Sequence, residues 1–326
     1  MPHPDADIRT AAAIAIGNLI RQQGDIVPWS SISAGFHVGQ DKVLFANRAR
    51  GIFKPAQLND GAALSVRSSR PSRAKRTARY DDEIIDDGML HYKFQGKNPG
   101  NANNADNQLL QRAYQLQRPL IYFSGLADAV YQIFYPVYVN QIDADGMEAL
   151  MTWRTSEDRP ESRSLVVNDP NYSLRQRTAA NQLHLARTRA TVLSAYDFQC
   201  AFSKLSIGSL LKATTIIYGA EKRGISPVNN AICMSDLHQA AFDAHLIGVS
   251  PDGDVELSRL LKEPRHAILR GQLSGSLNRN PTIHLPKSRK LWPDRDCLSE
   301  RARRYWRSHC WRAAGRCGRW NTGLCR

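Results

Sequence analysis

Residues 200–247 read CAFSKLSIGSLLKATTIIYGAEKRGISPVNNAICMSDLHQAAFDAHLI, and the order of their apolar and polar runs decides the fold of the second half of the chain. A short apolar run (Leu210, Leu211, Ile216, Ile217) leads into a polar loop through Lys222 and Pro227, and a second apolar run goes from Ala231 to Met234. From Leu237 to His245 the apolar residues recur at helical spacing. The stretch therefore reads as strand, loop, strand, helix. Two polar residues stand at its joints, Asn230 just before the second run and His238 near the start of the helix. Taken singly, Asn229-Asn230 is ordinary turn chemistry, and a lone helical histidine is more often structural than a ligand.

Three blocks carry a stronger signal together: LLKATTII at 210–217, PVNNAICM at 227–234 and LHQAAFD at 237–243. In this order they resemble the HNH endonucleases, the ββα-metal nucleases, and within them the bacterial restriction-type branch. The resemblance extends upstream to the basic segment 175–196 (RQRTAANQLHLARTRATVLSAY) and downstream to the strand and turn at 248–261. It implies an α+β protein: a mixed α/β DNA-recognition domain over 1–155, a linker over 156–173, and a ββα-metal HNH module over 174–306. The tail, 307–326, has neither helical nor strand period and reads as irregular or disordered.

The function implied is that of a restriction-like DNA endonuclease hydrolysing phosphodiester bonds with a divalent metal ion, Mg or similar. Such cleavage needs a general base for the attacking water and a cation for the charge on the leaving oxygen, both facing one phosphate. By the resemblance, His238 is a metal ligand, Asn230 orients the base or its strand, and the base itself is a histidine at the position of Thr215. This chain has a threonine there, and no histidine lies between His184 and His238. A hydroxyl cannot take a proton at neutral pH as imidazole does. Tyr218 and Gly219 also stand where the family has a proline and a turn residue, and Ala231 replaces a glycine. Three readings stay open: a nuclease fold without activity, an altered copy, or a base recruited from elsewhere, His245 and Asp243 being nearest. The alternative function is thus a catalytically inactive DNA-binding homologue.

Charge points the same way without reference to any family. With 44 Lys plus Arg against 30 Asp plus Glu, the chain carries a formal net charge of +14. Such an excess favours a polyanion through counterion release, and double-stranded DNA is the expected partner. A homodimer stays open as the arrangement that would cut both strands. No run of 18 apolar residues occurs and the first residues, MPHPDAD, lack a basic and apolar leader, so no membrane partner and a cytoplasmic location are expected. The six cysteines (200, 233, 297, 310, 317, 325) form no paired C-x-x-C knuckles, which predicts reduced thiols and no zinc ribbon.

The first half reads less sharply. Ile8, Ala12, Ile16 and Leu19 line one face of a helix over 6–22. Arg50 to Pro55 (RGIFKP) resembles a block of the same family. The segment 65–79 carries Arg67, Arg70, Arg73, Lys75, Arg76 and Arg79 with no acidic residue, which predicts a mobile surface loop that touches phosphates without reading sequence. Further phosphate contacts are expected from Arg175, Arg177, Arg187 and Arg189 on the basic helix. Asp87-Gly88 followed by Leu90, Tyr92 and Phe94 in alternation predicts a turn and a half-buried strand. A helix over 108–117, strands at 120–123 and 137–139, a strand within 281–292 and a last helix over 293–306 complete the pattern. The order of the blocks between 80 and 139 is similar to the first half of the restriction family and, more loosely, to SRA domains that flip a modified cytosine. Tyr92, Phe94, Tyr122, Phe123 and Asp86-Asp87 are the residues such a pocket would use, although aromatics alternating on strands are more often core.

Overall fold

The computed structural model describes residues 4–68, 83–86, 89–94, 104–143, 147–153, 172–274 and 282–310, with backbone alone at 83–86, 172–180 and 308–310. The chain divides into two compact units, 1–190 and 191–326. The expected linker, the Asp87-Gly88 turn and most of the tail fall outside the described residues.

The first unit opens with α1 (Asp5–Gln23), β1 (Ile26–Pro28), α2 (Trp29–Ala34), β2 (Phe36–Val38), β3 (Asp41–Val43), β4 (Ile52–Phe53) and β5 (Ser65–Arg67). It continues with β6 (Glu83–Asp86), β7 (Met89–Lys93), α3 (Ala105–Gln115), β8 (Leu120–Ala127), β9 (Val130–Asp143) and β10 (Glu148–Thr152). α4 (Tyr172–Ala195) then carries the chain across the division between units. One mixed sheet runs β4-β5-β8-β9-β10-β7-β6, with β1 added along β9. The β5-β8 pair is parallel, and the others are antiparallel.

The sheet is packed on both faces, and β8 shows how. Side chains alternate along a strand, so Ile121 and Phe123 enter a core shared with Ile8, Ala12 and Ile16 of α1. Leu120 and Tyr122 enter a second core with Leu110 and Ala113 of α3 and with Leu90, Tyr92 and Phe94. The expected alternation at 90–94 is therefore real, and its aromatics are core. Asn104 caps α3 by accepting from the Asn107 N–H at 2.9 Å.

One ion pair lies under this surface. Arg9 donates to both Asp60 oxygens (3.0 and 3.1 Å) and to the carbonyls of Ala62 and Ala63, with side chains only 9% and 10% exposed. Arg118 lies 3.5 Å from the same carboxylate, and Asp60 also accepts from the Ala62 N–H. Burial alone would raise the Asp60 pKa; the Arg9 hydrogen bonds, the Ala62 N–H and the two guanidinium charges outweigh it and hold the carboxyl below its ordinary range.

The second unit contains β11 (Leu211–Thr215), β12 (Ala231–Ser235), α5 (Asp236–Asp243), β13 (Ile247–Val249), β14 (Val255–Leu257), α6 (Ala267–Ser274) and α7 (Arg295–Cys310). β11 and β12 form an antiparallel hairpin, Leu211 facing Ser235 and Thr215 facing Ala231, and α5 packs back on both strands. This is the strand, loop, strand, helix order that the sequence predicts. Ser235 caps α5, its Oγ accepting from the His238 N–H at 3.4 Å. The expected strand within 281–292 is reduced to one bridge, Thr282 to Asp254. Pro286 withholds a donor from any longer ladder in this stretch.

α7 closes the unit against β13. A Cβ added at Gly248 would stand 2.8 Å from the ring of Tyr305, which is 3% exposed and cannot swing away. Gly248→Ala is expected to lose about 1–3 kcal/mol of stability in urea unfolding, the usual cost of overpacking. A loss within experimental error would show that the ring does not lie on that glycine.

Candidate functional site

The rim of the β11-β12 hairpin is built by two adjacent asparagines that turn to opposite neighbours. Asn230 is 6% exposed; its amide donates to Ile217 O at 2.7 Å and its Oδ1 accepts the Ile217 N–H at 3.1 Å. Its backbone carbonyl takes the Ile216 N–H at 2.9 Å. The amide thus replaces a strand partner just where the ladder ends, and fixes the path of 216–218. Asn229 reaches the other way, donating to Lys290 O (2.9 Å) and Trp292 O (2.8 Å), while its carbonyl accepts from Asp294 N–H at 2.7 Å. The rim holds Thr215 at the end of β11, exposed, and Tyr218, 86% exposed. Thr214 faces inward, 2% exposed, and its hydroxyl has no partner among the described residues.

His238 is held by a set of its own contacts. Its Nδ1 lies 2.8 Å from Ser235 Oγ and 3.8 Å from Cys200 Sγ, its ring stacks on Phe202 (centroids 5.1 Å apart, 18° between planes), and the residue is 2% exposed. Nε2 is buried with no hydrogen-bond partner among the described residues. Ser235 pairs with Leu211 at the end of the hairpin away from Thr215. Four residue steps lead along the strand from Ala231 to Ser235, roughly 13 Å at about 3.3 Å per step. Thr215 and Asn230 thus share the loop end of the hairpin, and the His238 ring is held at Ser235 and Cys200. Burial would raise the Cys200 thiol, but hydrogen bonds to His238 and Ser203 and to the backbone of Ser203 and Phe202 bring it down to about 6.

The divalent metal that the HNH resemblance implies can be tested against these donors. A hard cation takes oxygen ligands in an open shell. Thr215 offers a neutral hydroxyl, the Asn230 amide is committed to the backbone, and the spare nitrogen of His238 is enclosed. Among the described residues no three His, Cys, Asp or Glu side chains converge. The three residues singled out by sequence do not fit a shared metal as they stand. Of the two alternative bases, Asp243 is exposed and lies 3.6 Å from Arg301, and His245 follows α5 with φ 55°. Arg301 itself donates to Phe242 O at 2.6 Å and lies 4.3 Å over the Phe242 ring, its pKa lowered chiefly by burial.

The expected phosphate contacts fare unequally. Arg67 is bedded between aromatic rings: it lies 5.8 Å from both Trp29 and Tyr131, and donates to Tyr131 OH (3.1 Å) and Arg48 O (2.8 Å). Arg189 is paired with Asp25 at 3.0 Å, and Arg187 is half-buried. Arg175 and Arg177 lie on α4, their side chains beyond the description, and Arg70, Arg73, Lys75, Arg76 and Arg79 lie outside the described residues. Cys200, Cys233 and Cys297 are buried and form no disulfide among the described residues. No helix among the described residues is long and apolar enough to cross a membrane.

Sequence reasoning read Asn229 only as turn chemistry, and missed the Trp29-Tyr131 bed and the turn at 289–292 that Asn229 holds. Each depends on partners tens of residues away, and no local pattern reports them.

No protein-family profile and no curated protein matches the chain. Among solved structures, the chain is similar to a modification dependent TagI restriction endonuclease at 13% identity, over 74% of this chain and 81% of that one, with a TM-score of 0.26. A likeness at that score carries no functional argument, which rests on the geometry above.

Proposed function

We propose that this chain is a DNA-binding protein on an HNH-type ββα frame, one that engages a duplex without hydrolysing it. The observation that carries the reading is the hairpin rim. The amide that shapes it, Asn230, is in place with both hydrogen bonds made, while the adjoining position where a general base would stand presents the exposed hydroxyl of Thr215. The net charge of +14 supplies the attraction for phosphates. A frame without its base keeps the shape of the site and forfeits the roughly 10²–10⁴-fold that positioned proton transfer contributes.

The frame itself favours a second reading, a restriction-like endonuclease hydrolysing phosphodiesters with a divalent metal and a relocated base. The two part on one assay. The full chain, incubated with supercoiled plasmid and Mg²⁺, Mn²⁺, Ni²⁺ or Zn²⁺, is expected to bind in a salt-sensitive manner and leave the plasmid supercoiled. Nicking that co-elutes with the protein and stops on chelation would overturn the silent reading. Nicking by Thr215→His alone would identify position 215 as that of the missing base.

A further inference from the structure

We infer that the turn at residues 287–292 is a fixed contact for the phosphate backbone of duplex DNA beside the hairpin rim; the inference rests on the DNA-binding reading and goes beyond the residues on which that reading was based. The segment reads Lys287-Ser288-Arg289-Lys290-Leu291-Trp292 between two prolines, and residues 289–291 form a single 3₁₀ turn. Three of its six residues are cations. Lys287 pairs with Asp197 at 2.8 Å, whereas Arg289 and Lys290 are exposed and make no ion pair among the described residues.

Unpaired surface cations are common, and most sit on flexible segments. These two do not. The Asn229 amide grips the carbonyls of Lys290 and Trp292, the Trp292 indole donates to Pro286 O at 2.7 Å, and Leu291 N–H closes on Ser288 O at 3.0 Å. The Arg289 guanidinium lies 5.5 Å from the Trp292 ring, which orients it by cation–π attraction. The neighbour of the anchoring residue, Asn230, shapes the rim that carries Thr215. One asparagine pair therefore ties a two-cation turn to the edge of the site. Ordering charged side chains costs entropy on binding, and a turn already held by hydrogen bonds has met part of that cost. Held cations without carboxylate partners suit a regularly spaced row of anions, which a DNA strand presents.

The test is the salt dependence of duplex binding by the full chain, with a 30-base-pair DNA titrated across KCl concentrations. Each phosphate contact contributes about 0.9 to the slope of log K against log salt. Arg289→Gln/Lys290→Gln is expected to lower that slope by about 2 and to weaken binding about tenfold or more near 0.1 M salt. Lys262→Gln/Arg265→Gln removes the same formal charge from the same unit and is expected to keep the wild-type slope. An unchanged slope in the first variant, or an equal fall in both, overturns the turn as a contact while leaving the DNA-binding reading intact. Absence of salt-sensitive binding by the unmodified chain overturns that reading and this inference together.

Discussion

Asn230→Ala is expected to destabilise the second unit by about 3 kcal/mol. The amide serves Ile217 twice, at its N–H and its C=O, and both groups lie where the ladder has ended and no strand partner remains. Truncation leaves a buried donor and a buried acceptor unsatisfied, at about 1–3 kcal/mol each. The loss should be local before it is global, so hydrogen exchange at the Ile217 amide is the sharpest readout. In the wild type that amide should exchange with the protected core, and in the variant with the surface. Asn230→Asp separates the two bonds, because a carboxylate still accepts the Ile217 N–H but opposes the Ile217 carbonyl. It should fall between wild type and alanine, and recover as the carboxyl protonates in acid. Full protection of Ile217 in Asn230→Ala would mean that the amide is not what holds the rim.

The second large effect lies in the first unit. Arg9→Ala should cost about 3–5 kcal/mol, the usual result of leaving one member of a buried pair behind, although Arg118 at 3.5 Å from Asp60 moderates the loss. The pH dependence follows from the direction of the Asp60 shift. Its folded-state pKa is depressed, so the stability it contributes is fully present above the ordinary carboxylate pKa of about 4, and is lost as pH falls through the lower folded-state value. Asp60→Asn should therefore be less stable than wild type at neutral pH, with the difference shrinking as pH falls through that window. Arg9→Ala/Asp60→Ala should be less damaging than the sum of its parts, since the two side chains share one interaction. A constant difference between wild type and Asp60→Asn from pH 7 to pH 2 would remove the pair from the account of stability.

What could be read from the sequence was local. The hairpin and helix at 211–243 followed from two apolar runs and a helical period, α1 from one face of Ile8, Ala12 and Ile16, and β7 from the alternation of Leu90, Tyr92 and Phe94. What escaped was set by distance along the chain. His238 looks like a ligand beside its helical neighbours; it is enclosed because Cys200, 38 positions upstream, and Phe202 come to lie against it. The Arg9-Asp60 bond spans 51 positions and the Asn229-Lys290 bond 61, and neither residue type at either end announces the other. The strand expected within 281–292 failed for a reason that was on the page, Pro286, which the apolar pattern alone did not weigh. Thr215 is the opposite case. Its place at the end of the first apolar run was legible in the sequence, and the fold adds that its hydroxyl lies on an exposed edge, next to the hydrogen-bonded amide of Asn230.

The double-sided packing of β8 has a bearing on how this chain can evolve. Leu120 and Tyr122 serve one interior, Ile121 and Phe123 the other, so sliding the strand by one residue would post every side chain to the wrong address on both sides at once. Insertions or deletions within 120–123 should accordingly be purged, and lineages that diversify this protein should do so in the segments hung between strands, keeping the spine of the sheet at constant length.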